Sequence, residues 1–166
     1  GFSSYITNRP AVKFVLFSFV IFTLGFWDEL IGVQTGWLFG SYIYGQTLGI
    51  KLFGFPLMIG ANWFLLTYTT GVLIQRSRIK NKYIGILAGA LLLVLLDVII
   101  EPIAIHFDYW HWADNTIPIK NYVCWFAVST LMLFIFGKFK FNPQSKAAPE
   151  LLLMEFVFFM VLGLLY

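Results

Sequence analysis

Two carboxyls four residues apart, Asp97 and Glu101, stand inside the apolar run LLLVLLDVIIEPIAIH. On a helix that spacing puts both side chains on one face. An ionisable group inside a membrane costs about 2.5–3.5 kcal/mol on insertion scales, so such groups are usually kept for function. Two carboxyls sharing a low-dielectric face do not both hold a charge readily. The expected neutral-pH state is one carboxylate beside one protonated acid, the arrangement acid–base enzymes use. Pro102 follows directly and removes a backbone hydrogen bond, which can kink the helix and open space beside the acids. His106, Asp108 and His111 come next. The structural alternative is that Asp97 and Glu101 only bond to neighbouring helices.

Other chemistry is thinner. Glu101, His106, Asp108 and His111 offer oxygen and imidazole ligands, but their spacing matches no metal motif, and two histidines in the chain are too few for a multi-histidine di-iron site. No metal is expected. No GxxxxGK[ST] phosphate loop occurs. The single cysteine, Cys124, excludes an intrachain disulfide framework and reads as a packing residue. Asp28 reads as an ordinary helix-end carboxylate. Glu29, beside a Gly-rich stretch, could turn inward. Glu155 reads as an end residue near a membrane boundary. Asn62 suits a helix–helix hydrogen bond.

The elements that must position these groups are transmembrane helices. The chain has 166 residues, of which 60% are hydrophobic, 20% aromatic and 11% charged. Soluble domains average about 45–50% apolar and about 25% charged. So little charge cannot cover a water-facing surface, and so much apolar content excludes disorder. A span needs about 20 mostly apolar residues. Five candidates run Val12–Trp27, Leu52–Ile74, Tyr83–Ile105, Tyr122–Phe136 and Leu151–Tyr166. The expected fold class is an all-α polytopic bundle forming a single transmembrane domain over residues 1–166. The chain begins at Gly1 without a Met, which leaves room for a further helix upstream.

The net charge of +3 reports loop orientation rather than nucleic-acid binding. Arg9, Lys13, Arg76, Arg78, Lys80, Lys82, Lys138, Lys140 and Lys146 fall on one side, against Lys51 and Lys120 on the other. By the positive-inside rule the 1–13, 76–82 and 138–150 segments are cytoplasmic. Asp97 lies 15 residues beyond Lys82, about 22 Å along a helix, hence in the outer half of the membrane. Of the outer segments, 28–51 is too apolar for a free loop and too Gly-rich for a long helix. It is expected to lie at the interface or to re-enter the bundle. Segment 106–121 carries Tyr109, Trp110 and Trp112. Alone, these read first as an aromatic belt and second as a ligand surface.

Several stretches together carry a resemblance. They are Glu29–Leu30–Ile31–Gly32, Thr35–Gly36 and Phe39–Gly40–Ser41–Tyr42–Ile43–Tyr44. Leu48–Gly49, Lys51, Gly54, Pro56–Leu57 and Trp63 follow. Asp97–Val98–Ile99–Ile100–Glu101–Pro102 and Tyr109–Trp110–His111–Trp112 come next, and Pro118, Asn121 and Trp125 close the set. In order and spacing the chain resembles the integral-membrane carotenoid biosynthesis family of the gamma-carotene 1',2'-hydratase and bisanhydrobacterioruberin hydratase type. The resemblance covers most of residues 29–125.

It implies hydration of the terminal C1,C2 double bond of an acyclic or monocyclic carotenoid, through a tertiary carbocation captured by water. It calls for no cofactor, and its expected partners are the carotenoid, water and the lipid bilayer, here a bacterial or archaeal cytoplasmic membrane, with no nucleic acid. With it, Asp97 becomes the first choice for general acid. Glu101 is its partner, and Glu29 a second acid–base group. Tyr42, Tyr44, Trp63, Trp110 and Trp112 are expected to bind the end group or stabilise the cation. His106, Asp108, His111 and Asn121 are expected to organise water at the outer mouth. Three other readings stay open: an end-group cyclase, which uses the same protonation; a proton-coupled transporter; and a non-enzymatic carotenoid-binding subunit.

Overall fold

A computed structural model describes residues 10–139 and 145–166. Among the described residues, five helices are long and apolar enough to cross a membrane: α1 (Pro10–Thr35), α2 (Leu57–Arg76), α3 (Lys82–His106), α4 (Ile119–Phe139) and α5 (Ala148–Leu165). The number of spans is as the apolar runs predict, and the chain is a multi-pass helical bundle. The predicted charge sides include Arg9 and Lys140, which lie outside the described residues.

The boundaries differ from the hydropathy reading in two places. α1 does not stop at Trp27 but continues to Thr35, so Asp28 and Glu29 lie within the helix rather than at its end. It stops at Gly36, which takes φ +61° and donates its N–H to Gly32 O at 2.8 Å. Glycine tolerates that left-handed conformation at a helix C-terminus. α2 begins at Leu57, because Lys51–Leu52 (β2) and Phe55–Pro56 (β3) pair as a tight hairpin. α3 is capped by Asn81, whose side chain accepts from the Tyr83 and Ile84 N–H groups at 2.9 and 3.3 Å. It runs unbroken through Pro102 to His106.

α2 sits centrally and packs against each of the other four helices. Its approach to α1 depends on small residues. A Cβ on Gly25 would fall 2.5 Å from Trp63 Cβ, and one on Gly60 would fall 2.8 Å from the Phe22 carbonyl. α5 lies outermost, with only Ala148 and Leu152 buried.

One end of the bundle is closed by a second sheet. Tyr42–Tyr44 (β1) and Trp110–Trp112 (β4) pair antiparallel, with Tyr42 opposite Trp112, Ile43 opposite His111 and Tyr44 opposite Trp110. Side chains alternate across a strand. Tyr42, Tyr44, Trp110 and Trp112 therefore share the inner face, and Ile43 and His111 face out. Next to this sheet, the Gly45 N–H donates to Tyr109 O at 2.9 Å, and the Gln46 N–H donates to Asp108 Oδ2 at 3.0 Å. The Thr47 hydroxyl bonds the Phe107 carbonyl at 2.7 Å and also reaches that of Asp108. The predicted interfacial segment is thus an ordered cap tied to the α3–α4 connection.

Candidate active site

Four helices bring polar groups to one depth. Glu29 lies six residues from the end of α1, Trp63 six from the start of α2, Glu101 five from the end of α3 and Trp125 six from the start of α4. At 1.5 Å per residue each sits about 8–9 Å inside its helix end, just under the β1–β4 cap. Asp97 is one turn deeper. The three carboxyls are withdrawn from solvent, with relative exposures of 7% for Glu29, 0% for Asp97 and 1% for Glu101.

Each glutamate is held by a different part of the cap. Glu29 Oε2 accepts from the Tyr42 hydroxyl and from the Tyr44 hydroxyl at 2.9 Å, and its Oε1 accepts from Trp63 Nε1 at 3.3 Å. Glu101 Oε2 accepts from Trp110 Nε1 at 3.0 Å and Trp112 Nε1 at 2.9 Å. The strand register produces this division, because β1 offers two phenols and β4 two indoles on the same inner face. Asn121 Nδ2 bridges the other two acids, donating to Asp97 Oδ2 at 2.7 Å and Glu101 Oε1 at 3.3 Å. Asp97 Oδ1 has no hydrogen-bond partner among the described residues. Burial pushes the Tyr42 and Tyr44 phenols well above their ordinary range, with the Glu29 carboxyl adding to the effect, so both remain protonated donors.

A cavity of about 40 Å³ lies between the two glutamates. It is walled by Trp63, Trp110, Trp112 and Trp125, by Tyr42 and Tyr44, and by Asn121. A water needs about 10–15 Å³ measured this way, so two or three fit. Trp63 and Trp125 stack with centroids 4.5 Å apart at 33°, and Tyr42 lies 5.0 Å from Trp112.

The sequence-selected residues are distributed unevenly. Glu29, Glu101, Tyr42, Tyr44, Trp63, Trp110, Trp112 and Asn121 all line the cavity, whereas Asp97 does not. Trp110 and Trp112 turn their N–H groups inward to Glu101 instead of forming a belt at the boundary. Asn121 lies between two buried acids rather than at the outer mouth. His106, Asp108 and His111 lie outside the cavity. His106 packs on Tyr166 with centroids 5.0 Å apart, and His111 Nε2 is 2.7 Å from Asp108 Oδ1 on the cap's outer side. The set Glu101, His106, Asp108 and His111 therefore does not converge. Trp125, Phe39 and Asn62 also line the cavity without a predicted site role. Trp125 is four residues beyond Asn121, so helical spacing alone puts both on one face of α4.

Fold and site together define a multi-pass membrane protein with a cluster of buried acids and polar-tipped aromatics at one end of an apolar bundle. Sequence comparison places it more narrowly. The chain belongs to the carotenoid biosynthesis protein family, whose sequence model matches residues 3–166. It is similar to the bisanhydrobacterioruberin hydratase of Haloarcula japonica, with 28% identity over 124 residues, covering 66% of this chain and 40% of that protein. The chain thus matches less than half the length of that curated relative. No solved structure matches it.

Proposed function

We propose that the protein is a carotenoid hydratase, adding water across the terminal C1,C2 double bond of an acyclic end group. One observation carries this reading: two buried carboxyls face one small cavity, large enough for two or three waters, whose other walls include four indole and two phenol rings. Family membership supports a carotenoid substrate, and the similarity to a hydratase supports hydration as the reaction type.

The chemistry balances without a further reactant. A protonated carboxyl gives its proton to C2, the C1–C2 π bond supplies the electron pair for the new C–H bond, and C1 becomes a tertiary cation. Water forms the C1–O bond and loses a proton to the second carboxylate. Water in the cavity returns that proton to the first acid. Desolvated aromatic faces stabilise a cation by about 2 kcal/mol or more. The paired carboxylate opposes the same charge.

Lining the cavity favours Glu29 and Glu101 for the contact roles. Glu101 Oε2 already accepts from two indoles, which suits the carboxylate that receives the water's proton. Glu29 shares hydrogen bonds with two hydroxyls that can themselves pass a proton, which suits the acid. Asp97, the first choice from the sequence, lies behind Asn121 and acts as a positioning group that holds a proton on its unpartnered oxygen. A carotenoid end exceeds about 40 Å³, so binding requires the aromatic walls to part. Room for water beside the acids favours hydration over cyclisation, which needs a dry site.

The test is pigment analysis after expression in hosts making lycopene or gamma-carotene. A product heavier by one water is expected. Glu29→Gln and Glu101→Gln should each cut it by about 10²-fold or more, the general acid–base range. Asp97→Asn should reduce it less. A product of unchanged mass with shifted absorption would establish cyclisation instead. Unchanged pigment from intact membrane-inserted protein, in both hosts and with longer acyclic carotenoids, would overturn the proposal.

A further inference from the structure

The opposite end of the bundle carries a second built feature. A cavity of about 490 Å³ lies between the ends of α2 and α4 and the start of α3, with Lys80, Lys82 and Lys138 among its walls and no acidic residue. A groove of about 410 Å³ lies beside it between α3 and α4, and its lining is apolar apart from Tyr83 and Thr130. The two spaces share Ile86 and Phe134, so they adjoin. From Phe134 the groove follows α4 to Ala127, seven residues or about 10 Å toward the membrane centre.

Two of the three ammonium groups sit against rings of the adjoining groove. Lys82 Nζ lies 4.8 Å from the Tyr83 ring centroid, and Lys138 Nζ lies 4.8 Å from that of Phe134; both rings line the apolar groove. Among the described residues the one ion pair is His111–Asp108, so no carboxylate neutralises these lysines. Three cations lining a basin beside an apolar groove match the two halves of one molecule, an anionic head and a hydrocarbon chain. Basic pockets between transmembrane helices bind phosphate headgroups in this way.

We infer that this basin and groove form a binding site for one anionic phospholipid of the surrounding bilayer, with its phosphate among Lys80, Lys82 and Lys138 and an acyl chain between α3 and α4. The inference is independent of the reaction proposed at the other end.

Native mass spectrometry of the purified chain, titrated with phosphatidylglycerol or phosphatidylcholine, tests it. One phosphatidylglycerol should be retained at concentrations where phosphatidylcholine is not. The K80Q/K82Q/K138Q variant should weaken that retention by at least about tenfold, and the K80R/K82R/K138R variant should keep it. Thr130→Phe fills the groove and leaves every lysine, and it too should weaken retention. Equal retention of both lipids, or no effect of the glutamine variant, would overturn the site. An effect of the lysines without one of Thr130→Phe would reduce it to surface charge attraction and also overturn it. Displacement of phosphatidylglycerol by farnesyl diphosphate at lower concentration would assign the site to a prenyl diphosphate instead.

Discussion

At the scale of single residues, Asn121 is the most heavily committed polar group in the site. One amide nitrogen serves both Asp97 and Glu101. Replacing it with Leu keeps the approximate volume and leaves two buried carboxyl oxygens without their donor. Each unsatisfied buried group costs about 1–3 kcal/mol, and more if charged. Asn121→Leu should therefore lower the thermal midpoint in detergent and reduce hydration at least about tenfold. Trp112→Phe is a milder probe, since it keeps the ring beside Tyr42 and removes one N–H from Glu101. A hydrogen bond to a charged group contributes about 1.5–3 kcal/mol to stability, so a lower thermal midpoint is expected here too, with one donor to Glu101 kept from Trp110, together with at least about tenfold less turnover. Full turnover in that variant would show that the N–H takes no part. The acids themselves were legible in the sequence, because a carboxyl in an apolar run stands out by its cost. Their donors were not. A Trp near a helix end reads equally well as a boundary anchor, and the direction of its N–H depends on what folds over it.

At the scale of elements, the β1–β4 pair explains what hydropathy could not anticipate. Each strand has three residues, and the two are separated by more than sixty positions. A period-two pattern that short is invisible, and the pairing is fixed by contacts elsewhere in the cap. Gly45 is one of them, because a Cβ there would overlap the Asp108 carbonyl. Gly45→Val should unseat the cap and lower hydration while leaving the five helices inserted, which far-ultraviolet circular dichroism of the purified protein can check. Asp108 is the other. The Gln46 backbone N–H, and then His111, hold its carboxyl below the ordinary aspartate range. A group whose folded pKa is depressed contributes in full above its unfolded value and loses that contribution as pH falls through the folded one. Protection of the Gln46 amide from hydrogen exchange, corrected for intrinsic rate, should stay constant from neutral pH to about 5 and decline only below about 4. A decline that sets in well above about pH 5 would show that the Asp108 carboxylate is not what holds the Gln46 amide.

At the scale of the whole molecule, the two ends of the bundle differ in kind. The acids and the aromatic cap occupy one end, and the lysines of the 76–82 connection and of the end of α4 occupy the other. The helix count was legible because each span is long, apolar and separated by short polar breaks. The extra two turns of α1 were not, since ELIGVQT opens a stretch too Gly-rich to read as a long helix, until Glu29 is seen turned inward to Tyr42 and Trp63. We infer from the charge asymmetry that the lysine end faces the cytoplasm and the acid end the other side. Two exposed positions report on this directly: Arg78, between α2 and α3, and Thr116, between β4 and α4. With Cys124, the free native thiol, replaced by Ser, single cysteines at Arg78 and Thr116 can be labelled by a membrane-impermeant maleimide. In intact bacterial cells Thr116→Cys should react and Arg78→Cys should react only after permeabilisation. The reverse pattern would place the acid site toward the cytoplasm. It would also put the lysine basin against the outer leaflet, so its lipid would then have to come from that side.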